Sequence, residues 1–341
     1  MAETGIGSLR EPGAAGERKK RFVISQEVIV ALATVVLFIV FSITLDKFMT
    51  AANLVMLVRN VTVLGLLSLG MAVVVIGRGV DLSLIAVMAV SLTVSIVLAN
   101  RGYGFVEALL IGLGFVLLVA VILGFLVAYV EIPSIFATLA VASIVYGLGR
   151  GAIADLDVNN VPNGLDWFLF LGRGTILGIP VAIWLFAVTA LVLHLFLRRT
   201  GIGRFTYALG DNLGAARITG IPVRPIIVVQ YMISGIMAFL AGAVTAASVA
   251  SMNMRIVNST VIYDVLLVVV LGGIGLTGGR GGVRNVLVGT ALIGLLLNAM
   301  TIMDISYIVQ NLIKSAVLLL ALVGDALLNP RDEQTAQQGD I

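Results

Sequence analysis

The chain has 341 residues, of which 60% are hydrophobic and 11% are charged, whereas about 25% of residues are charged in an average soluble domain. So apolar a chain cannot cover itself with polar side chains in water, which excludes a soluble globular protein and indicates that lipid is its main solvent. The net charge of +3 does not indicate nucleic-acid binding, and the absence of cysteine excludes disulfides and thiolate sites.

The chain begins with a polar segment, residues 1–27, which contains the basic run 18–21 and which we predict to be a cytoplasmic tail. The apolar run 28–45 follows it. This run is long enough to cross a bilayer, and no small-residue cleavage site follows it, so we interpret it as a membrane span and not as a signal peptide.

Apolar runs recur along the rest of the chain, and the breaks between them carry the glycine, proline and charge that are typical of helix ends. The runs do not alternate with period two, which excludes a β-barrel and leaves helices as the spanning elements. At roughly 20 residues per crossing, we predict an all-α membrane protein with about ten transmembrane helices, of which the eighth is short and either broken or re-entrant. The runs are 28–45, 61–76, 82–99, 105–130, 133–149, 179–197, 225–250, 264–276, 286–302 and 306–324.

The distribution of basic residues predicts the orientation of these spans. If the N-terminus is cytoplasmic, fourteen Lys and Arg residues lie inside and six lie outside, as the positive-inside rule requires. We therefore predict that both termini are cytoplasmic, with a transmembrane domain at 28–325 and a C-terminal tail at 326–341. The inside residues are Arg10, Arg18, Lys19, Lys20, Arg21, Arg78, Arg198, Arg199, Arg204, Arg217, Arg224, Arg280, Arg284 and Arg331, and the outside residues are Lys47, Arg59, Arg101, Arg150, Arg173 and Arg255.

Two carboxylates lie close to apolar runs and need an explanation, because a charge at bilayer depth is costly without a partner. Arg78 lies three residues before Asp81, and we predict that the two form an ion pair on one helical face; a role in gating or in lining a path is the alternative. Asp264 begins the eighth run, and we interpret it as a helix cap. The run 73–77 also resembles the run 268–272, which suggests an internal duplication.

The basic segment 198–224, which we call the coupling segment, contains the strongest local signal. Asp211 or Asn212 is suited to cap a helix of about two turns over 212–218. Gly220 would end this helix in the left-handed conformation, and Pro222 would prevent its continuation. A short helix with small residues on its surface is suited to docking against a partner, although an ordinary interfacial helix has the same composition.

No enzyme chemistry is indicated. The glycine-rich block 272–282 lacks the lysine of a phosphate-binding loop, so we interpret its glycines as allowing a tight turn and close helix packing. His194 is the single histidine and has no acidic or thiol neighbours in sequence, which makes it a poor candidate for catalysis or metal binding. We predict a chain with no cofactor, no metal site and no nucleotide site.

The coupling segment resembles the ribose-type permeases of carbohydrate ABC importers, whose pattern is A-x-G-x-N-x-x-A-A-x-x-x-G-I. Three further blocks are similar to that family: 79–83, 131–139 and 272–282. The likeness extends from about residue 30 to residue 325. The sequence departs from the family pattern at Leu84-Ile85, at Gly275 and at Arg284-Asn285. These departures weaken the assignment of a particular sugar by resemblance. The matching residues are Ala208, Gly210, Asn212, Ala215, Ala216, Gly220 and Ile221.

The resemblance implies a permease subunit in a bacterial inner membrane that carries a monosaccharide or related polyol. It implies three partners: an ATPase subunit that binds ATP and Mg, a second permease subunit (identical or not), and a periplasmic sugar-binding protein. It also implies that the coupling helix sits in a groove of the ATPase. Alternative cargoes are branched-chain amino acids or nucleosides, and a self-sufficient carrier is the alternative mechanism. The implied coupling residues are Gly210, Asp211, Asn212, Gly214, Ala215, Ala216, Arg217 and Gly220.

Polar side chains within the runs are the candidates for a translocation path, because uncharged groups exchange hydrogen bonds with sugar hydroxyls without trapping the solute. Hydrogen bonding between helices is the alternative explanation for each of them. The uncharged polar candidates are Thr138, Gln230, Thr245, Asn298, Gln310 and Asn311, and Asp81 and Phe136 are added as further candidates for the path.

Overall fold

The computed structural model describes residues 26–154 and 156–328. The basic run 18–21, almost all of the predicted N-terminal tail, Arg331 and the C-terminal residues from 329 onward lie outside these described ranges. The predictions made for those segments therefore stay predictions.

Each of the ten predicted apolar runs coincides with a helix, and three shorter helices lie between them. The runs correspond to α1, α2, α3, α4, α5, α7, α10, α11, α12 and α13. The helices are α1 (Gln26–Thr44), α2 (Ala51–Ile76), α3 (Leu84–Asn100), α4 (Phe105–Ala128), α5 (Ser134–Leu148), α6 (Asp166–Arg173), α7 (Val181–Arg199), α8 (Gly201–Asp211), α9 (Leu213–Ile218), α10 (Val223–Val249), α11 (Val261–Leu271), α12 (Val283–Ile302) and α13 (Tyr307–Leu328).

Eight of the described helices are long and apolar enough to cross a membrane, and α5 reaches that length with the π-helical turn Gly149–Ile153 that continues it. The helices α3 and α11 are shorter, with 17 and 11 residues. The prediction of an all-α membrane protein is therefore confirmed. The short eighth run is helical only in part, because α11 ends at Leu271 and the glycine block 272–282 follows without helix; that it is broken or re-entrant stays a prediction.

Four short strands tie one end of the molecule together. Strand β1 (Val158–Asn160) pairs antiparallel with β4 (Ser251–Asn253), while β2 (Thr175–Ile176) pairs with β3 (Ile179–Pro180). Beside the β1–β4 strand pair, the Asp157 carboxylate forms ion pairs with Arg150 at 2.9 Å and with Arg255 at 2.7 Å. The described residues 156–178 of this loop thus cover the end of α10, against which α6 packs.

The helix α2 is the centre of the fold. Every residue from Leu64 to Ile76 is buried, and α2 packs against α10, α12, α11 and α7. Small residues allow close contacts between α10 and α4, where Gly124 meets Val228 and Gly235 meets Val116. By contrast, the most apolar windows of α1 and α13 are only 6% buried, so these two helices lie at the periphery.

The sequence echo between 73–77 and 268–272 corresponds to two helix ends with the same hydrogen bonds. At the end of α2, Arg78 N–H donates to Val75 and Gly79 N–H donates to Val74; at the end of α11, Gly273 donates to Val270 and Ile274 to Val269. Both are Schellman endings, in which one residue takes the left-handed conformation. That residue is Gly273 (φ 92°) after α11 but Arg78 (φ 69°) after α2, where a non-glycine residue is strained.

Candidate functional site

The coupling segment folds as two successive helices, α8 and α9. Asn212 ends the first and caps the second, because its Oδ1 accepts a hydrogen bond from the Ala215 N–H at 2.9 Å. Gly220 stops the second helix at φ 79°, with Ile221 N–H donating to the Ala216 carbonyl. The predicted cap, helix and stop are all present, whereas α8 was not predicted.

One face of α9 packs against α8 and α10, and the opposite face is exposed. Ala216 is 3% exposed and packs with Leu209, Val223 and Ile226 in a small apolar cluster. On the opposite face Ala215 is exposed, and Ile218 is 89% exposed. The Ile218 side chain on this six-residue helix, outside the apolar runs, is thus left uncovered by the described residues. Sequence reasoning missed Ile218, although its place in the coupling helix was visible.

Gly210 brings the coupling segment into direct contact with the transmembrane body. A Cβ at this position would collide with the Ile76 carbonyl and with the backbone N–H of Gly279. The Gly279 N–H itself donates to the Ile76 carbonyl at 2.9 Å. The end of α2, the end of α8 and the glycine block therefore meet backbone to backbone, which explains the small residues predicted to matter there.

Tyr207 provides a second contact between α8 and the glycine block. Its hydroxyl donates to the Gly281 carbonyl at 2.9 Å. Burial raises the pKa of the Tyr207 phenol, and the smaller effect of Arg198 opposes this change. The phenol therefore stays a neutral donor at physiological pH, and the bond to the glycine block does not depend on pH in that range.

The predicted ion pair between Arg78 and Asp81 is wrong. Arg78 lies in the left-handed ending of α2, so the two residues do not share a helical face. The Asp81 carboxylate is 2% exposed and accepts hydrogen bonds from Ser83 Oγ at 2.5 Å and from Ser234 Oγ at 2.6 Å. Asp81 thus ties the turn between α2 and α3 to the middle of α10.

The interpretation of Asp264 as a helix cap is also wrong. Asp264 is the fourth residue of α11, and its carboxylate pairs with Lys314 Nζ of α13 at 2.9 Å. Both residues are buried, with exposures of 6% and 8%. Thr260 Oγ1 accepts a further hydrogen bond from Lys314 and donates to Asn311 Oδ1 at 2.9 Å. A pair of opposite charges therefore joins the last helix to α11.

The candidate path residues do not line one common cavity. Asn298 exchanges amide hydrogen bonds with Asn53, and Gln310 and Asn311 bond to Ile305 and Thr260. The hydroxyls of Thr138 and Thr245 bond to carbonyls of their own helices, while Phe136 is 67% exposed. Bonding between helices, the alternative explanation, holds for Asn298 and Asn311 only, since Thr138, Thr245 and Gln310 bond within or next to their own helices. Gln230 differs, because its buried Nε2 has no partner among the described residues.

The basic residues assigned to the two sides of the membrane lie at opposite ends of the described structure. Arg198, Arg204 and Arg284 line one cleft beside Glu27, together with His194 and Tyr207. At the other end Arg101 and Arg173 donate to the carbonyls of Ile153 and Ser248. These described arginines therefore fall into two groups, and the orientation of the two groups in the membrane stays a prediction.

Comparison with known proteins gives a family match over most of the chain. A family model described as "Branched-chain amino acid transport system / permease component" matches residues 53–322. The ribose import permease protein of Haemophilus influenzae is 31% identical over 91% of this chain and 96% of its own length, and that of Bacillus subtilis is 32% identical over 86% and 91%. The L-arabinose transport system permease protein of Escherichia coli K12 is 30% identical over 85% and 87%. No solved structure matches the chain.

Proposed function

The chain belongs to the family of branched-chain amino acid transport system permease components, and on that premise we propose that it is the membrane-spanning subunit of an ATP-driven sugar importer. The observation that carries this proposal is the coupling segment: a capped short helix with one anchored face and an exposed isoleucine. An exposed apolar face of this kind is suited to burial against a second protein. The family resemblance found in the sequence is confirmed by the relatives.

The cargo proposed is a monosaccharide or related polyol. The relatives named above are called ribose and L-arabinose permeases, while the family model carries the name of branched-chain amino acids. Uptake of radiolabelled pentoses, set against leucine and a nucleoside, distinguishes these alternatives.

The proposed assembly contains two permease subunits, a pair of ATPase domains that bind ATP and Mg, and a periplasmic sugar-binding protein. The proposed location is the bacterial inner membrane, with ten crossings, both termini cytoplasmic, a domain at 28–325 and tails at 1–27 and 326–341. In this arrangement ATP binding moves the ATPase pair, the coupling residues 210–220 follow, and the membrane path changes sides.

Replacing Gly214 or Ala215 by tryptophan is expected to abolish coupling and leave membrane insertion intact, because Ala215 lies on the exposed face of α9. The measurement is ATP-dependent uptake and ATPase stimulation in vesicles that contain all the partners. Ala51→Trp is the control, since Ala51 is exposed at the start of α2.

Normal uptake by the Gly214 and Ala215 variants would refute docking at this segment. Concentrative uptake by vesicles that contain this chain alone, without ATP, would instead establish the self-sufficient carrier.

A further inference from the structure

A cavity of about 420 Å³ lies between the coupling segment and the transmembrane body. Its walls come from the turn after α2, the connection between α4 and α5, the helices α8 and α9, and α10. This volume lies within the range of small-molecule sites. The side chains that give it its chemistry are Arg78, Glu131, Ser134, Leu213, Gln230 and Tyr231.

Two of these side chains are buried, since Gln230 is 2% exposed and Tyr231 is 1% exposed. The Tyr231 hydroxyl lies beside the Ser134 hydroxyl, whereas no described residue bonds to Gln230 Nε2. Native proteins rarely leave a buried polar group without a partner. The Gln230 amide also lies against Gly77, where a Cβ would collide with it, so the backbone is shaped around this amide.

The charges around the cavity indicate which solute it accepts. Glu131 lines it and is also within 3.4 Å of Arg217 and 3.6 Å of Arg224, while Arg78 supplies a cation. Arg217 also lines the cavity and offsets Glu131, so Arg78 leaves the wall with one cation in excess, which disfavours a cationic solute. The amide and hydroxyl groups of Gln230, Tyr231 and Ser134 both donate and accept hydrogen bonds, as the hydroxyl groups of a sugar do.

We propose that this cavity binds a neutral polyhydroxylated solute of monosaccharide size, with the Gln230 amide as its buried contact. The proposal rests on the proposed function for its cargo and gives that cargo a site. Because Leu213 and Gly214 form one wall, an occupant touches the helix that a partner ATPase would move. A bound solute therefore resists displacement of α9 toward the body and links solute release to the coupling segment.

The test uses the absence of cysteine from the chain. Leu213→Cys places a thiol in the cavity wall, and Ile218→Cys places one on the same helix but on its exposed face. The full-length variants in lipid nanodiscs are reacted with N-ethylmaleimide, with and without D-ribose, L-arabinose or inorganic phosphate. A neutral pentose at about twice its dissociation constant is expected to slow the reaction of Leu213→Cys about threefold, because one third of the sites remain free.

The same pentose should leave Ile218→Cys unaffected, and adding Gln230→Leu to Leu213→Cys should abolish the protection. Protection by phosphate alone, equal slowing at both cysteines, or no slowing by either pentose would overturn the proposal. The assay contains no ATPase and no ATP, so its outcome is independent of coupled transport. Protection in a chain that fails to support ATP-driven uptake would keep this site and reject the proposed function.

Discussion

Lys314→Leu is expected to destabilise the protein strongly, by about 3–5 kcal/mol, because it leaves the buried Asp264 carboxylate without its cation. The pair is 2.9 Å apart and both side chains are less than a tenth exposed. The α13 helix packs mainly on α11, so losing the pair should also detach the end of the chain. The measurement is thermal or denaturant unfolding of the protein in detergent, with proteolysis of α13 as a local readout.

The double variant Asp264→Leu/Lys314→Leu should recover most of this stability, because it removes both charges and leaves an apolar contact. Leu319→Ala is the control on the same helix, since Leu319 is 63% exposed and its truncation should change little. The stabilising role of the Asp264–Lys314 pair would be contradicted if Lys314→Leu unfolded at the same temperature or denaturant concentration as the wild type. A double variant less stable than Lys314→Leu would contradict it as well.

Gly210→Leu is expected to abolish ATP-dependent uptake in the complete transporter. The new side chain would meet the Ile76 carbonyl and the Gly279 backbone, and backbone atoms cannot move aside as the end of a flexible side chain can. Overpacking of this kind typically costs about 1–3 kcal/mol, which is enough to displace α8 from the end of α2. Uptake and ATPase activity are measured in vesicles that contain the ATPase and the binding protein.

Gly201→Leu is the matched control, because Gly201 begins the same helix and the nearest atom to an added Cβ belongs to Phe205 at 3.9 Å. It should transport normally. If Gly210→Leu transports as well as Gly201→Leu, the close contact at the end of α2 has no role in coupling.

The long apolar helices were predictable because an apolar run of sufficient length is enough to identify a helix that crosses a membrane. Ten apolar runs became ten helices, and the chemistry of Asn212 and Gly220 predicted α9 because a cap and a stop act over a few residues. The helix α8 was not predicted, since its eleven residues mix apolar, glycine and charged positions and do not form a continuous apolar run.

The contacts that were missed all depend on tertiary structure. The spacing of Arg78 and Asp81 suggests a pair only if the helix continues, but α2 ends at Ile76. Asp264 and Lys314 are 50 residues apart, so no local pattern connects them. The same applies to Gln230, whose lack of a partner becomes visible only when Gly77 and the coupling segment pack around it. Short-range rules therefore predicted the elements and not the partners of the buried polar groups.

The ion pair on the last helix also constrains how the chain is made. A lysine within a span opposes its insertion by about 2.5–3.5 kcal/mol, and α13 leaves the ribosome after α11. Its partner on α11 is synthesised two helices earlier, so α11 must remain next to the insertion machinery until α13 arrives. Truncation of the chain before α13 would leave the Asp264 carboxylate without Lys314, and an intramembrane charge without a partner is costly.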